Sequence, residues 1–366
     1  MKKHYLLQTT HSRDIFFTND KVSTYKTIEQ QQLKQELSRK KSDIDNMSQK
    51  VWEIYKKINN DYEYIYTSSK QYKNICSILP VSRSYFKLHE IIKDLTLLTD
   101  DIVCGCIAEG PGGFIHCLND SSSKCKIHKV YGITLISKDT RIPYWNISIL
   151  KNKMNDISNG KDETGDIYNI ENAKHFIQRI GDQKCHLVTA DGGFDYSNNY
   201  NTQEDSSYKL LYSEIFIAMN IQKIGGHFIL KVFDLFSPLT IQLLYLLYTC
   251  YAKIYIYKPS TSRLSNSEKY IVCSNFLGIS DEKQKFLEEY FNKCGEIKMD
   301  VPDSFIDEIY LFNQTFVSNQ INTIDEILTT NVDSKQDVKP TEYQKKIAIE
   351  WCQRYELPIN QKCIYI

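Results

Sequence analysis

The chain has 366 residues, 42% hydrophobic and 25% charged, and its 45 basic and 45 acidic side chains leave no net charge at pH 7. That length suits one large α/β domain with appendages, or two domains. No run of about 18 apolar residues is present, which excludes a transmembrane helix. Neutrality argues against a grip on long nucleic acid through its phosphates and leaves a short or terminal nucleic-acid target, or none.

The N-terminus, MKKHYLLQTTHSRD, lacks the sustained apolar stretch of a signal peptide. Residues 27–58 read as a helix, opened by a Thr27–Gln30 capping box. Leu33, Leu37, Ile44, Met47, Val51, Ile54 and Ile58 fall on one stripe that suits docking against a main domain. A second helix is expected over SRSYFKLHEIIKDL (82–95), with Phe86, Leu88, Ile91 and Ile92 facing inward and Lys87 beside them.

From about residue 81 apolar, strand-like runs alternate with helical ones. IVCGCIA (102–108), KVYGITLI (129–136), CHLVTA (185–190), HFILKVF (227–233), KIYIY (253–257) and KYIVC (269–273) read as strands, and SYKLLYSEIFIAMNIQKIG (207–225) as a helix between them. Such alternation implies an α/β fold, a Rossmann-like, doubly wound, mainly parallel sheet. Ligands of such sheets bind outside the carboxyl ends of the strands. Past residue 279 the strand signals stop. Helices are expected over 281–293 and 303–328, then a polar linker over 332–340 and a last helix capped by Thr341 and Gln344. The expected division is a helical N-terminal extension (1–80), an α/β domain (81–278) and a helical C-terminal extension (279–366).

Several places on this framework carry chemistry. EGPGGF (109–114) directly follows the first core strand, where glycines let the backbone turn sharply and approach a ligand. It has neither the G-x-G-x-x-G spacing of dinucleotide folds nor the GK[ST] of a phosphate-binding loop, which disfavours NTP hydrolysis. TADGGFD (189–195) puts Asp191 at a strand's carboxyl end, as a ligand group or as part of a plain turn. From Phe228 to Phe233 every residue is apolar except Lys231. A charged amine in a buried strand costs several kcal/mol, roughly, unless it is paired, so Lys231 is either a misread surface residue or part of a site. The loop KPSTSRLSNSEKYIVC (258–273) places Glu268 just before the last core strand. His116, Cys117, Cys125 and His128 match no common zinc spacing, and no metal is expected. The 11 cysteines include no C-x-x-C pair and read as free thiols of a reducing compartment.

SRSYFKLHEI, EGPGGF, TADGGFD, GGHFILKVFDLFSP and KPSTSRLSNSEKYIVC occur in this order. Together they resemble the FtsJ-type (RrmJ-like) ribose 2′-O-methyltransferases, class I methyltransferases. The resemblance is closer to the cap-specific mRNA enzymes of eukaryotes and large DNA viruses than to the bacterial ribosomal-RNA branch. It covers roughly residues 80–275. It implies a Lys-Asp-Lys-Glu catalytic tetrad at Lys87, Asp191, Lys231 and Glu268, all four present. It implies S-adenosylmethionine as methyl donor, held at Gly110, Pro111, Gly112, Gly113 and Phe114, with Thr134, Asp166 and Ile167. Thr134 and Cys106 depart from the family, where acidic residues are usual, and Glu109 stands near Cys106. Arg263 and Asn266 are implied to touch RNA, the bland reading of Arg263 being an ion pair.

The implied partner is RNA with a 5′ cap, with no membrane and with a capping-machinery protein as candidate partner of the helical extensions. Rival readings are a ribosomal- or transfer-RNA methyltransferase and a non-catalytic cap-binding or structural protein on the same scaffold. A Lys-, Asn-, Ile- and Tyr-rich composition suggests an AT-rich genome such as that of a large cytoplasmic DNA virus. The expected location is therefore cytoplasmic, viral factory and virion included, with the nucleus left open.

Overall fold

The computed structural model describes residues 3–14, 28–121, 125–193, 200–293, 299–331 and 338–366. In chain order its elements are β1 (His4–Leu6), α1 (Ile28–Asp43), α2 (Gln49–Ile58), α3 (Ser84–Asp94), β2 (Ile102–Ile107), α4 (Gly113–Ser121) and β3 (Ile127–Ile133). They continue with α5 (Ile147–Lys151), β4 (Asn155–Ser158), α6 (Ile170–Ile180), β5 (Cys185–Ala190), α7 (Gln203–Ile221), β6 (Gln222–Val232) and α8 (Pro238–Cys250). The chain ends with β7 (Tyr251–Tyr257), β8 (Lys269–Phe276), α9 (Asp281–Lys293), α10 (Asp303–Thr329) and α11 (Glu342–Arg354).

The eight strands form one sheet in the order β1-β7-β8-β6-β5-β2-β3-β4. The run from β4 to β6 is parallel, and β8 is antiparallel to both β6 and β7. Because side chains alternate along a strand, each central strand feeds two cores. Val103, Ile107, Val188, Phe228 and Leu230 face the helices α6, α7 and α8. Cys104, Cys106, Leu187, Ile229 and Val272 face α3, α4 and α11. Lys231 shares the second face with Ile229, and its register partner across β8 is Tyr270.

Three expectations are corrected. The first long helix is broken: α1 ends at Asp43, a 3₁₀ turn over Ile44–Asn46 follows, and Ser48 caps α2 by accepting the Val51 N–H. Thr27, the proposed cap of α1, lies outside the described residues. The helix expected to run to residue 225 stops at Ile221, and β6 begins at once. Gln222 decides this, because its amide donates to Cys185 O at 3.0 Å and accepts from the Tyr251 hydroxyl at 3.2 Å, tying the residue to the sheet. The strands β1 and β4, three and four residues long, had no sequence signal.

The flanking segments pack on the sheet domain. β1 pairs with β7, and Lys3, just before β1, reaches Glu90 of α3 with its Nζ at 2.6 Å. Trp351 of α11 packs edge-on against Phe86 of α3, 5.9 Å between ring centres. The Thr341–Gln344 capping box of α11 forms as expected. Leu37, Trp52 and Tyr55 of α1 and α2 form a third core with Phe316, Val317 and Ile324 of α10. Among the described residues no helix is long and apolar enough to cross a membrane.

Candidate active site at the carboxyl ends of the strands

Four charged side chains converge from four parts of the chain. Lys231, near the end of β6, donates to the backbone oxygen of Asp191 at 2.7 Å and lies 3.3 Å from its carboxylate. The Tyr270 hydroxyl donates to the same carboxylate at 2.9 Å. A Cβ on Gly193 would stand 3.0 Å from Lys231 Nζ, so the glycine leaves the amine its place. Lys87 reaches from α3 to both oxygens of Glu268, at 2.7 and 2.8 Å, and Ser262 donates to Glu268 at 2.8 Å. These four side chains keep 11–15% of their surface exposed, so each is reachable from solvent.

The electrostatics follow from this arrangement. Burial pushes the Lys231 ammonium down, but the carboxyl groups of Asp191, Glu268 and Glu214 outweigh it, and the amine ends above its ordinary value. Burial pushes Glu268 up, but Lys87, Lys231 and Lys258 outweigh it and bring the carboxyl to about 2. The site thus holds two amine–carboxyl pairs, Lys231 with Asp191 and Lys87 with Glu268.

The glycine turn lies on the neighbouring strand end. Gly112 has φ +103°, a conformation open to glycine at little cost. The Gly110 N–H donates to Thr134 Oγ1 at 3.2 Å, joining the turn to the end of β3. A Cβ on Gly110 would collide with Pro143 O, one on Gly113 with Ser82 and Ser84 Oγ, and one on Gly112 would come within 2.8 Å of Ile149. Close packing of the 143–149 segment and of the α3 entry therefore accounts for these glycines. Phe114 is fully buried and packs near Tyr270, so its ring supports the turn from inside. A Cβ on Gly165 would collide with Thr134 O, which brings the Asp166–Ile167 segment beside Thr134. Ile167 is buried, and the half-buried Asp166 accepts the Tyr168 N–H at 2.8 Å. The residues Gly110 to Phe114, Thr134, Asp166 and Ile167 thus line one end of the sheet together.

The two expected RNA contacts turn inward. Arg263 makes a forked pair with Glu63, at 3.0–3.1 Å, and Glu63 is fully buried. The ion-pair reading of Arg263 is therefore the one its geometry shows, although the partner is buried in the N-terminal extension. Asn266 Oδ1 accepts from the Glu268 N–H and Lys258 Nζ, both at 2.9 Å, and so shapes the loop that presents Glu268. Of the cysteine and histidine group, His116 accepts the Val81 N–H at 3.2 Å and His128 pairs with Asp101 at 3.1 Å. Among the described residues no three His, Cys, Asp or Glu side chains could share a metal ion.

Two further residues of the site, Glu90 and Glu214, were not singled out from the sequence. Glu90 of α3 is fully buried and accepts the Ser260 and Thr261 N–H groups, at 2.8 and 3.3 Å, which fixes the loop before Glu268. Glu214 of α7 lies beneath Gly192. Its signal was available: it is the one charge in LLYSEIFIAM, an anomaly like that of Lys231.

The sheet order and the glycine turn after its first central strand are those of a class I methyltransferase fold. The family model described as FtsJ-like methyltransferase matches residues 80–276, more than half of the chain, and the chain belongs to that family. It is 34% identical over 235 residues to a protein of Trypanosoma cruzi named cap-specific mRNA (nucleoside-2′-O-)-methyltransferase 1, which covers 60% of this chain and 62% of that protein. The Leishmania braziliensis protein of the same name is 29% identical over 261 residues, covering 68% of this chain and 65% of that one. The human protein of that name is 36% identical over 186 residues, 46% of this chain and 22% of that one. The chain thus spans less than two thirds of the length of these relatives.

Proposed function

We propose that this protein transfers a methyl group from S-adenosylmethionine to a ribose 2′-hydroxyl at the 5′-capped end of mRNA. The observation that carries the reading is the meeting of Lys231 and Asp191 with Lys87 and Glu268 at the open strand ends, in a chain whose relatives are named for this reaction.

The donor's fit rests on Glu109. This carboxyl is buried at the start of the turn, with Oε1 accepting from Thr189 and Oε2 without a partner among the described residues. Burial pushes it well above the ordinary range, and the Asp191 and Glu214 carboxyls add to this. A buried carboxyl with an unused oxygen suits a cationic ligand. Gly110 to Gly113, Thr134, Asp166 and Ile167 would hold the donor, with Phe114 packed behind the turn and Glu109 at its start. When bound, the donor supplies a methyl group on a cationic sulfur.

The chain's own part is to hold and prepare the ribose hydroxyl. As found, Lys231 is an ammonium with Asp191 on one side. An ammonium can orient the hydroxyl oxygen by donating to it, which places the nucleophile in line. It can take the ribose proton only after losing one of its own. A second positive charge beside it, and exclusion of water as substrate enters, both favour that loss. Lys87 neutralises Glu268 and so weakens the pull that keeps Lys231 protonated. The neutral overall charge accords with contact to a short RNA end, where few phosphates are gripped.

The test is methyl transfer from labelled donor to matched capped and uncapped RNAs, followed by nucleoside analysis. The expected product is a 2′-O-methylated nucleoside adjoining the cap. Equal transfer to uncapped RNA would sink the cap reading, and no transfer to any RNA would sink the enzyme reading.

A further inference from the structure

Helix α7 places one charged residue, Glu214, against the site from below. The residue is 1% exposed. Its Oε1 accepts the N–H of Gly192, the residue after Asp191, at 3.2 Å. A Cβ on Gly192 would collide with that oxygen, so the glycine is what lets carboxyl and backbone meet. Its Oε2 is buried with no partner among the described residues. The charged groups that act on it are Asp191 from the turn after β5, Lys231 from β6 and Glu109 from the glycine turn. A buried carboxyl with one oxygen unused costs stability that an apolar side chain would not. Its place beside the reacting groups gives that cost a purpose.

We propose that Glu214 is a positioning residue for methyl transfer, fixing the Asp191 turn through the Gly192 N–H and setting, by its own proton, the charge around Lys231. The proposal rests on the methyl-transfer reading above. Burial pushes the Glu214 carboxyl up to about 8, against the opposing pull of Lys231 and the Gly192 N–H, with Asp191 adding to the rise. Below that pH it is neutral, and Lys231 faces the carboxylates of Asp191 and Glu268. Above it, a third carboxylate favours the ammonium form of Lys231 and opposes its loss of a proton. Glu214 therefore restrains any rate increase that depends on deprotonating Lys231 at alkaline pH.

Two variants separate the two roles. Glu214→Gln keeps an acceptor for Gly192 but cannot ionise. Its kcat–pH profile is expected to have its ascending limb displaced to lower pH by about half a unit or more relative to wild type. Glu214→Ala loses the anchor. Amide exchange at Gly192 and Gly193 is expected to speed up about tenfold, with kcat down about tenfold and KM for RNA little changed. Superimposed profiles for wild type and Glu214→Gln overturn the charge-setting role. Unchanged exchange in Glu214→Ala overturns the anchoring role. Should the alanine variant fail to fold, the glutamine profile and its exchange at Gly192 decide. Should wild type transfer no methyl group, the methyl-transfer reading fails, and the exchange comparison still decides the anchor.

Discussion

Lys231 and Lys269 occupy neighbouring rungs of the β6–β8 ladder, pairing with Tyr270 and Val232, and lie on opposite faces of the sheet. Lys231 faces α3 and keeps a path to solvent. Lys269 is 1% exposed, donates to Phe233 O and lies over the Phe316 ring, 4.4 Å from its centre. Burial pushes Lys269 down to about 8, despite Asp234 and Glu204, whereas the carboxyls around Lys231 hold it up. Lys258, 4% exposed and bonded to the Asn266 and Glu268 carbonyls, is likewise pushed well below its ordinary value by burial. Near neutral pH the two sealed lysines would more readily be free amines, able to accept a proton. Neither can reach a substrate. A lowered lysine pKa here records depth, whereas Lys231 combines access with opposed charge.

The largest effect that bears on this contrast is on rate. Lys231→Ala should cut kcat about a thousandfold, with donor affinity by calorimetry largely kept. Near-wild-type kcat in that variant, together with collapse in Lys269→Met, would reverse the comparison. The sealed region should respond instead in stability. Lys41 of α1 pairs with the buried Asp234 at 2.7 Å, and Lys41→Met should cost about 3 kcal/mol by leaving that carboxylate short of a partner. Chemical denaturation measures this, and adding Asp234→Asn should restore part of the loss.

The sealed region also carries a pH signature. Burial pushes Glu204 up to about 7, with Asp234 adding to the rise. In the unfolded chain it titrates near the ordinary glutamate value of 4.5. Between these values the folded state binds more protons, so stability is present below about 4.5 and falls as pH rises through 7. Glu204→Gln should remove about 2 kcal/mol of that decline, read from denaturation midpoints at pH 5 and 8. Equal declines in both proteins would contradict a buried neutral carboxyl. The smallest effect is expected at Arg263. Its alanine variant should lose about 1 kcal/mol through Glu63, and methyl transfer only in proportion. Collapse of transfer in a stable Arg263→Ala protein would show instead that Arg263 touches RNA.

What could be read in the sequence was set by spacing along the chain. Lys231 was legible because an apolar run made a charge anomalous, and Asp191 because a glycine turn ends its strand. The central strands were legible because each is apolar on both faces, as a sheet covered by helices on both sides requires. The partners that define each side chain's state were not. Glu63 and Arg263 are 200 residues apart, and Lys41 and Asp234 are 193 apart. Nothing local marks such a pair. β4 is the polar NDIS, too short for a period to show, and β1 gains its place from the edge of β7. The end of α7 fell wrong because IQKIGG carries no stop signal before the glycines, and only contacts with β5 and β7 turn Gln222 into a strand residue.

Transfer to a ribose hydroxyl held at Lys231 is tested most directly with two capped RNAs that differ only in ribose or 2′-deoxyribose at the first two transcribed nucleotides. Methyl transfer to the ribose form and none to the deoxy form is the predicted result. Equal transfer to both would place the methyl group elsewhere and contradict the claim.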